Sequence, residues 1–222
     1  MSKGATAFPV ETFSSWQPFM ERAQPLLLGR EAESNLIWEV GCVAAQNASL
    51  SRPWLGWLVK EDGEPLLAAL PSVTGYLILS GGEPAACPAL VNHLSTLQTP
   101  LKGVSGPEPV SGSFAKVWQD AVGASVTLRV PLSFYLADTS TEPKDEKQGI
   151  FRRARPEESQ FLREWAIDFG AESSRSMDSR SLTRLSEHMQ GRGNLFVREE
   201  NEEVKAMGGF GRETPHGLVI NM

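Results

Sequence analysis

With 222 residues, 41% of them apolar, the chain can bury a sizeable core, as one large domain or as two small ones. Its formal charge of −6 at pH 7 and its lack of a basic stripe argue against a nucleic-acid-binding protein. The start, MSKGATAFPVETFSS, has neither the basic head nor the apolar centre of a secretory signal, and no run approaches the roughly 18 apolar residues of a membrane span.

Glu11 to Leu28 sets Phe13, Trp16, Phe19, Met20, Ala23 and Leu27 at helical spacing, and Pro18 and Pro25 mark breaks, which predicts one or two helical turns and a stop. Arg30 to Ala45 repeats Ala32, Leu36, Ile37, Val40, Val43 and Ala44 at three and four residues, an amphipathic helix. After a polar loop, Asn47 to Pro53, the period changes. Trp54 to Val59 and Leu66 to Leu70 flank an Asp62-Gly63 turn, the signal of a tight hairpin, and Tyr76 to Leu79 adds a third strand. Ser80-Gly81-Gly82 opens a helix, Pro84 to Leu97, with proline in the first turn. Gly103 to Gly112 is expected as loop, Phe114 to Val122 as a short helix, and Ser125 to Leu136 as one or two half-buried strands, since its apolar residues alternate.

Ala137 to Gly149 has no large apolar residue and many charges, so it is expected to link two domains, 1–137 and 150–222, with residues 138–149 as linker. Beyond it come a strand at Ile150 to Ala154 and a helix at Pro156 to Phe169, with Phe161, Leu162, Trp165 and Phe169 at core spacing. A Ser-rich loop from Ala171 to Ser181 and a helix at Leu182 to Met189 follow. Three strands close the order: Leu195 to Val197, Val204 to Phe210 and Leu218 to Met222, the first two joined by a polar turn centred on Asn201. Leu218 to Met222 is almost wholly apolar and leaves an unpaired edge, on which a second copy of the chain is expected to pair as a homodimer.

The two halves echo each other. Leu58-Val59-Lys60-Glu61-Asp62-Gly63-Glu64 matches Phe196-Val197-Arg198-Glu199-Glu200-Asn201-Glu202 in character, and each stretch follows a helix and leads to two further strands. A tandem repeat of one fold accounts for this. Gly81-Gly82, ahead of a helix, has the arrangement that offers amides to phosphate. Glu83 and Pro84 stand in that loop without a nearby Lys or Arg in sequence, so it is read as structural.

On Ile150-Phe151-Arg152-Arg153-Ala154-Arg155-Pro156-Glu157 as first strand and helix start, and on Leu195–Val197, Val204–Gly211 and Leu218–Met222 as second to fourth strands, the chain resembles a two-part bacterial GNAT acetyltransferase. In that type a degenerate N-terminal half precedes a catalytic one. The resemblance covers nearly all 222 residues and implies an α/β (α+β) fold of tandem mixed sheets flanked by helices, the second sheet incomplete. It implies acetyl-CoA as co-substrate, with Ile220, Asn221 and Met222 beside the thioester, and a small-molecule or peptide amine as acceptor. The pyrophosphate loop that would follow Met222 is not in these residues, so a truncated member is expected, inactive as the 222-residue chain although the complete protein would be an acetyltransferase.

For the base that takes the amine proton, His216, in a Pro-Gly turn, is the candidate, because histidine titrates near neutral pH. Glu199, Glu200, Glu202 and Glu203 crowd the hairpin turn and are read as solvated charge, and Arg152, Arg153 and Arg155 as a solvated strand-edge cluster. His93 and His188 sit in helices without partners by spacing. Gly208-Gly209-Phe210-Gly211 is not followed by a helix, so it marks a bulge or a close backbone approach rather than a dinucleotide site. Cys42 and Cys87 lack metal-ligand spacing, so a cytoplasmic, reduced setting without a metal is expected. The alternative to catalysis is a GNAT-like binding or scaffolding module.

Overall fold

The computed structural model describes residues 8–46, 55–72, 74–98, 100–133, 135–137, 149–172 and 179–221. The chain divides into two compact units, Met1–Leu136 and Ala137–Met222. Residues 138–148 of the expected linker lie outside the described residues. The α/β class expected from the sequence is what the structure shows: two sheets in tandem, each flanked by helices.

The first unit runs β1 (Val10–Phe13), α1 (Trp16–Gly29), α2 (Glu31–Gln46), β2 (Gly56–Glu61), β3 (Glu64–Pro71), β4 (Tyr76–Leu79), α3 (Cys87–Thr96), β5 (Gly103–Ser105) and α4 (Glu108–Val122). Its sheet has the order β1-β2-β3-β4-β5, antiparallel except for the parallel pair of β4 with β5. Both faces are covered, so β2, β3 and β4 carry apolar side chains on each side. Leu58, Ala68, Leu70 and Ile78 meet Phe19, Ala23, Leu27 and Ile37 of α1 and α2. Trp57, Val59, Leu67, Ala69, Leu77 and Leu79 meet Cys87, Leu90, Val91 and Leu94 of α3 and Phe114 of α4. Each fully buried Leu, Ile or Phe contributes about 1.5–3 kcal/mol.

Three expectations fail here for local reasons. Phe13 belongs to a strand, not to the first helix: Val10-Glu11-Thr12-Phe13 pairs with β2. The helix that follows runs for 14 residues through Pro25. Pro25 lies on the exposed side, where water can take the carbonyl it leaves unpaired, while Phe19, Ala23 and Leu27 hold the buried side. The expected loop Gly103–Gly112 contains a strand and the first turn of α4. Its glycines permit close approach, since a Cβ on Gly103 would stand 2.8 Å from the Tyr76 ring and one on Gly106 2.9 Å from Leu79 Cβ. Ser125–Leu136 forms no strand among the described residues, and Leu128 and Leu132 are 80% and 70% exposed. Alternation specifies a strand only where a neighbouring strand supplies the ladder, and Pro131 removes one donor.

The second unit runs β6 (Ile150–Arg153), α5 (Ser159–Glu172), α6 (Ser179–Gly191), β7 (Leu195–Glu200), β8 (Glu203–Glu213) and β9 (Leu218–Asn221), with an antiparallel sheet in the order β6-β7-β8-β9. Leu162 and Met189 of the two helices pack on Leu195 and Val197. Leu162 is buried and Phe161 packs beside it as expected, but the inward row continues through Ala166 and Gly170, leaving Trp165 and Phe169 36% and 37% exposed. A Cβ on Gly170 would come within 2.2 Å of Leu182 Cδ1, so the glycine lets α6 press against α5. The expected loop 171–181 is shorter, because α5 extends to Glu172 and α6 begins at Ser179; residues 173–178 lie outside the described residues.

The two units repeat one plan, but in a register one residue away from the sequence pairing. Glu61 pairs with Glu64 around Asp62-Gly63, and Glu200 pairs with Glu203 around Asn201-Glu202. Both turns have positive φ at both central residues, 50° and 92° in the first and 51° and 64° in the second, as the right-handed twist of a two-residue hairpin requires. The ladder shifts between Val59 and Lys60 in one unit and between Arg198 and Glu199 in the other, leaving Leu66 and Lys205 as the extra residues. Leu58 thus corresponds to Val197, not Phe196. A slip of one residue exchanges the faces of a strand, and both Leu58 and Val197 pack under the first helix pair of their unit.

Candidate functional site

Three of the four candidate residues lie on the β8–β9 hairpin, and Met222 lies outside the described residues. The glycine run of β8 serves close approach and a bulge. A Cβ on Gly209 would stand 2.8 Å from Met189 Sδ and 3.2 Å from the Asn194 carbonyl. The ladder pairs Phe210 with Ile220 and then Arg212 with Val219, so Gly211 is the extra residue. The hairpin turn is closed by Thr214, whose backbone N–H donates to Gly217 O at 3.0 Å and whose hydroxyl donates to the same oxygen at 3.1 Å. His216 is exposed within this turn. Asn221 pairs with Gly209 through the backbone.

Ile220, 70% exposed, stands on the sheet face opposite Leu195 and Val197, as do Phe196 and Phe210, whose rings meet edge to face at 5.4 Å. Phe151, 69% exposed, stacks on Phe196 at 5.2 Å. The corresponding face of the first unit, with Trp57 in the place of Phe196, lies under α3 and α4. The outer edge of β9 pairs with no strand among the described residues, so its backbone offers an alternating row of donors and acceptors. Such an edge can bind an extended, amide-bearing chain by strand addition.

The hairpin carboxylates separate into two kinds. Glu200 pairs with Arg198 at 2.8 Å, and Glu203 pairs with Lys205, both near solvent. Glu199 instead turns inward with Glu158 around the Arg152 guanidinium, all three at most 16% exposed. Arg152 Nε donates to Glu199 at 2.9 Å, and its two terminal nitrogens donate to Glu158 at 2.9 and 2.6 Å. Glu158 also accepts the Arg155 backbone N–H at 2.6 Å, capping the turn that leads into α5. Arg152 holds the Glu158 carboxyl below the usual carboxylate range, and the two carboxylates raise the arginine further above its own. The expectation of a solvated cluster fails for Arg152 and Glu199, because the cation is consumed inside the protein. Glu158 went unassigned in the sequence, although a glutamate three residues into a proline-led helix start is a capping signal.

In the first unit the glycine loop is filled by side chains. A Cβ on Gly81 would lie 2.3 Å from Glu33 Oε2 and 2.9 Å from Arg30 Cδ, and one on Gly82 2.3 Å from Leu66 O. Arg30 donates to Glu83 at 3.3 Å and stands 3.7 Å from Glu33. Two carboxylates thus occupy the ground a phosphate would need. His93, without a partner by spacing, meets the Thr12 hydroxyl at 3.0 Å and ties α3 to β1. Cys87 is a free, buried thiol whose pKa burial pushes up, which keeps it protonated and inert. Among the described residues, no three His, Cys, Asp or Glu gather as metal ligands, and no helix is long and apolar enough to cross a membrane.

No family model and no curated protein matches the chain. Among solved structures, an acetyltransferase of the GNAT family from Colwellia psychrerythraea is similar over 91% of this chain and 71% of its own, at 16% identity and a TM-score of 0.41. A likeness of that size leaves the chemistry to rest on the residues of this chain.

Proposed function

We propose that the second unit is the acyl-carrier side of a GNAT-type N-acetyltransferase, which moves an acetyl group from acetyl-CoA to an amine by direct attack. The observation that supports this most is the order of that unit. A strand, two helices and a three-strand meander lead to β9, whose outer edge pairs with no strand among the described residues, and the resemblance sets the acyl-pantetheine arm there. The arm carries amides in an extended chain, which suits a free strand edge, and the exposed Ile220 suits the acyl end. The backbone of Ile220, Asn221 and Met222 would hold it. In the reaction the amine nitrogen bonds to the thioester carbonyl carbon, the carbon–sulfur bond breaks, and the thiolate leaves as coenzyme A. The amine proton passes to a base, for which His216, in the turn four to six residues ahead of the backbone that would hold the arm, is the candidate.

Strand contacts alone give these 222 residues weak affinity, about millimolar. The test is nuclear magnetic resonance on dilute protein: acetyl-CoA should shift the amide signals of Leu218–Asn221, and the adenosine-diphosphate half alone should not. Unmoved β9 amides would sink the proposal. For the first unit the non-catalytic reading is favoured, because Glu33, Arg30 and Glu83 fill its glycine loop.

A further inference from the structure

We infer that the outward face of α5 and α6 is a self-association surface, on which a second copy of the chain packs about a two-fold axis running along the helix pair. This stands independently of acyl transfer and of the β9 edge. Helical period sets two rows of charge on that face. Glu164, Asp168 and Glu172 of α5, and Arg180, Arg184 and His188 of α6, follow one another at four residues and are all exposed. Each row lies roughly 200° around its helix from a buried row, Leu162-Ala166-Gly170 in α5 and Leu182-Ser186 in α6. One helix therefore presents acid and its neighbour base. Local helix physics opposes both rows. Glu164 and Asp168, Asp168 and Glu172, and Arg180 and Arg184 are like charges one turn apart, while Glu172 ends α5 and Arg180 stands in the first turn of α6, each the wrong sign for its helix dipole. None of the six makes an ion pair among the described residues, whereas Arg163 and Glu187, in the seam between the helices, pair at 2.9 Å. The first unit has no such rows, since Arg22 is the only basic residue in α1 and α2.

The register of the two helices selects the occupant. Ser159 meets Gln190, Arg163 meets Glu187, and Gly170 lies against Leu182, so the helices run antiparallel, with Glu164, Asp168 and Glu172 level with His188, Arg184 and Arg180. A two-fold axis along the seam lays α5 of a second copy over α6 of the first without changing those levels. Each acidic residue then meets a basic one across the joint, and every contact occurs twice. A nucleic acid would be repelled by the acidic row beside the basic one, and any partner of a single sign would satisfy only half of the face. Exposed ion pairs are weak singly, so a dissociation constant of about 0.1–1 mM is expected.

Small-angle scattering of the 222-residue chain, over a dilution series that reaches millimolar concentration, tests this. The mean mass should rise toward the dimer, and amide signals of α5 and α6 should shift in parallel. Asp168→Arg should weaken association about tenfold or more although it lowers the net negative charge, and Arg184→Glu should do the same. Mixed in equal amounts, the two variants should associate within about threefold of the wild-type chain, because each then meets the opposite charge at both contacts. Both side chains are exposed, so the melting temperature of each dilute variant checks that its fold is kept. A monomer at every concentration overturns the inference. Association that either variant leaves intact, a mixture that does not recover, or amide shifts confined to other elements overturns it too.

Discussion

Glu202 has φ of +64°, a conformation that costs a residue with a Cβ about 1 kcal/mol. Its counterpart in the first unit is Gly63, at +92°. Glu202→Gly should therefore stabilise the chain by about 1 kcal/mol, read as a higher urea midpoint at unchanged slope. Glu158 makes the opposite case. Its folded pKa is lowered chiefly by the Arg152 hydrogen bonds, so its contribution is full above the unfolded glutamate pKa of about 4.3 and fades as pH falls through the lowered value. Glu158→Gln should melt about 5 °C lower at pH 7, and the gap should close toward pH 3; a gap that widens in acid would contradict the assignment. Such pairings were hard to see in the sequence because Arg152 and Glu199 lie far apart in it, and a crowd of glutamates around a turn looks uniformly solvated. The glycines were more legible. Gly208-Gly209-Phe210-Gly211 announced a bulge or close approach, and Gly209 and Gly211 supply one each.

At the scale of elements, the hairpins and amphipathic helices could be read from period and turn chemistry, while phase and pairing could not. The alternation of Ser125–Leu136 is as clean as that of any strand in the chain, yet a strand exists only in company. The phase of α5 went astray because Trp165 and Phe169 look like core residues; the face that packs is chosen by the smaller Ala166 and Gly170, which admit α6. Gly170→Leu should separate the two helices and cost about 1–3 kcal/mol in chemical denaturation, whereas Trp165→Gln, on the half-exposed side, should cost less. A cross-strand contact also recurs. Lys60 Nζ meets Glu11 at 2.5 Å in the first unit, and Glu199 meets Arg152 at the corresponding positions of the second. Glu11→Arg alone should destabilise by about 1 kcal/mol, and Glu11→Arg with Lys60→Glu should restore most of it.

Across the whole molecule the two units differ in cover. The first buries apolar side chains on both faces of its sheet, and the second builds its core on Leu162, Met189, Leu195 and Val197 on one face. Native-state hydrogen exchange should therefore find the β7 and β8 amides opening at lower denaturant than those of β2 and β3; equal protection would count against this difference. The tandem plan was visible in the sequence, but its alignment was not, since matching residues by character set Lys60 against Arg198. Geometry sets Lys60 against Glu199, and Glu11 against Arg152, so the two units keep one ion pair with its polarity inverted. If a duplicated ancestor produced the halves, that contact has outlived its own chemistry. On that premise one lineage or the other passed through two like charges side by side or through a neutral intermediate, since both partners had to change for the bond between the strands to persist. A search for further kin of this chain by residue identity would discard such pairs as mismatches, where scoring them jointly would count them as descent.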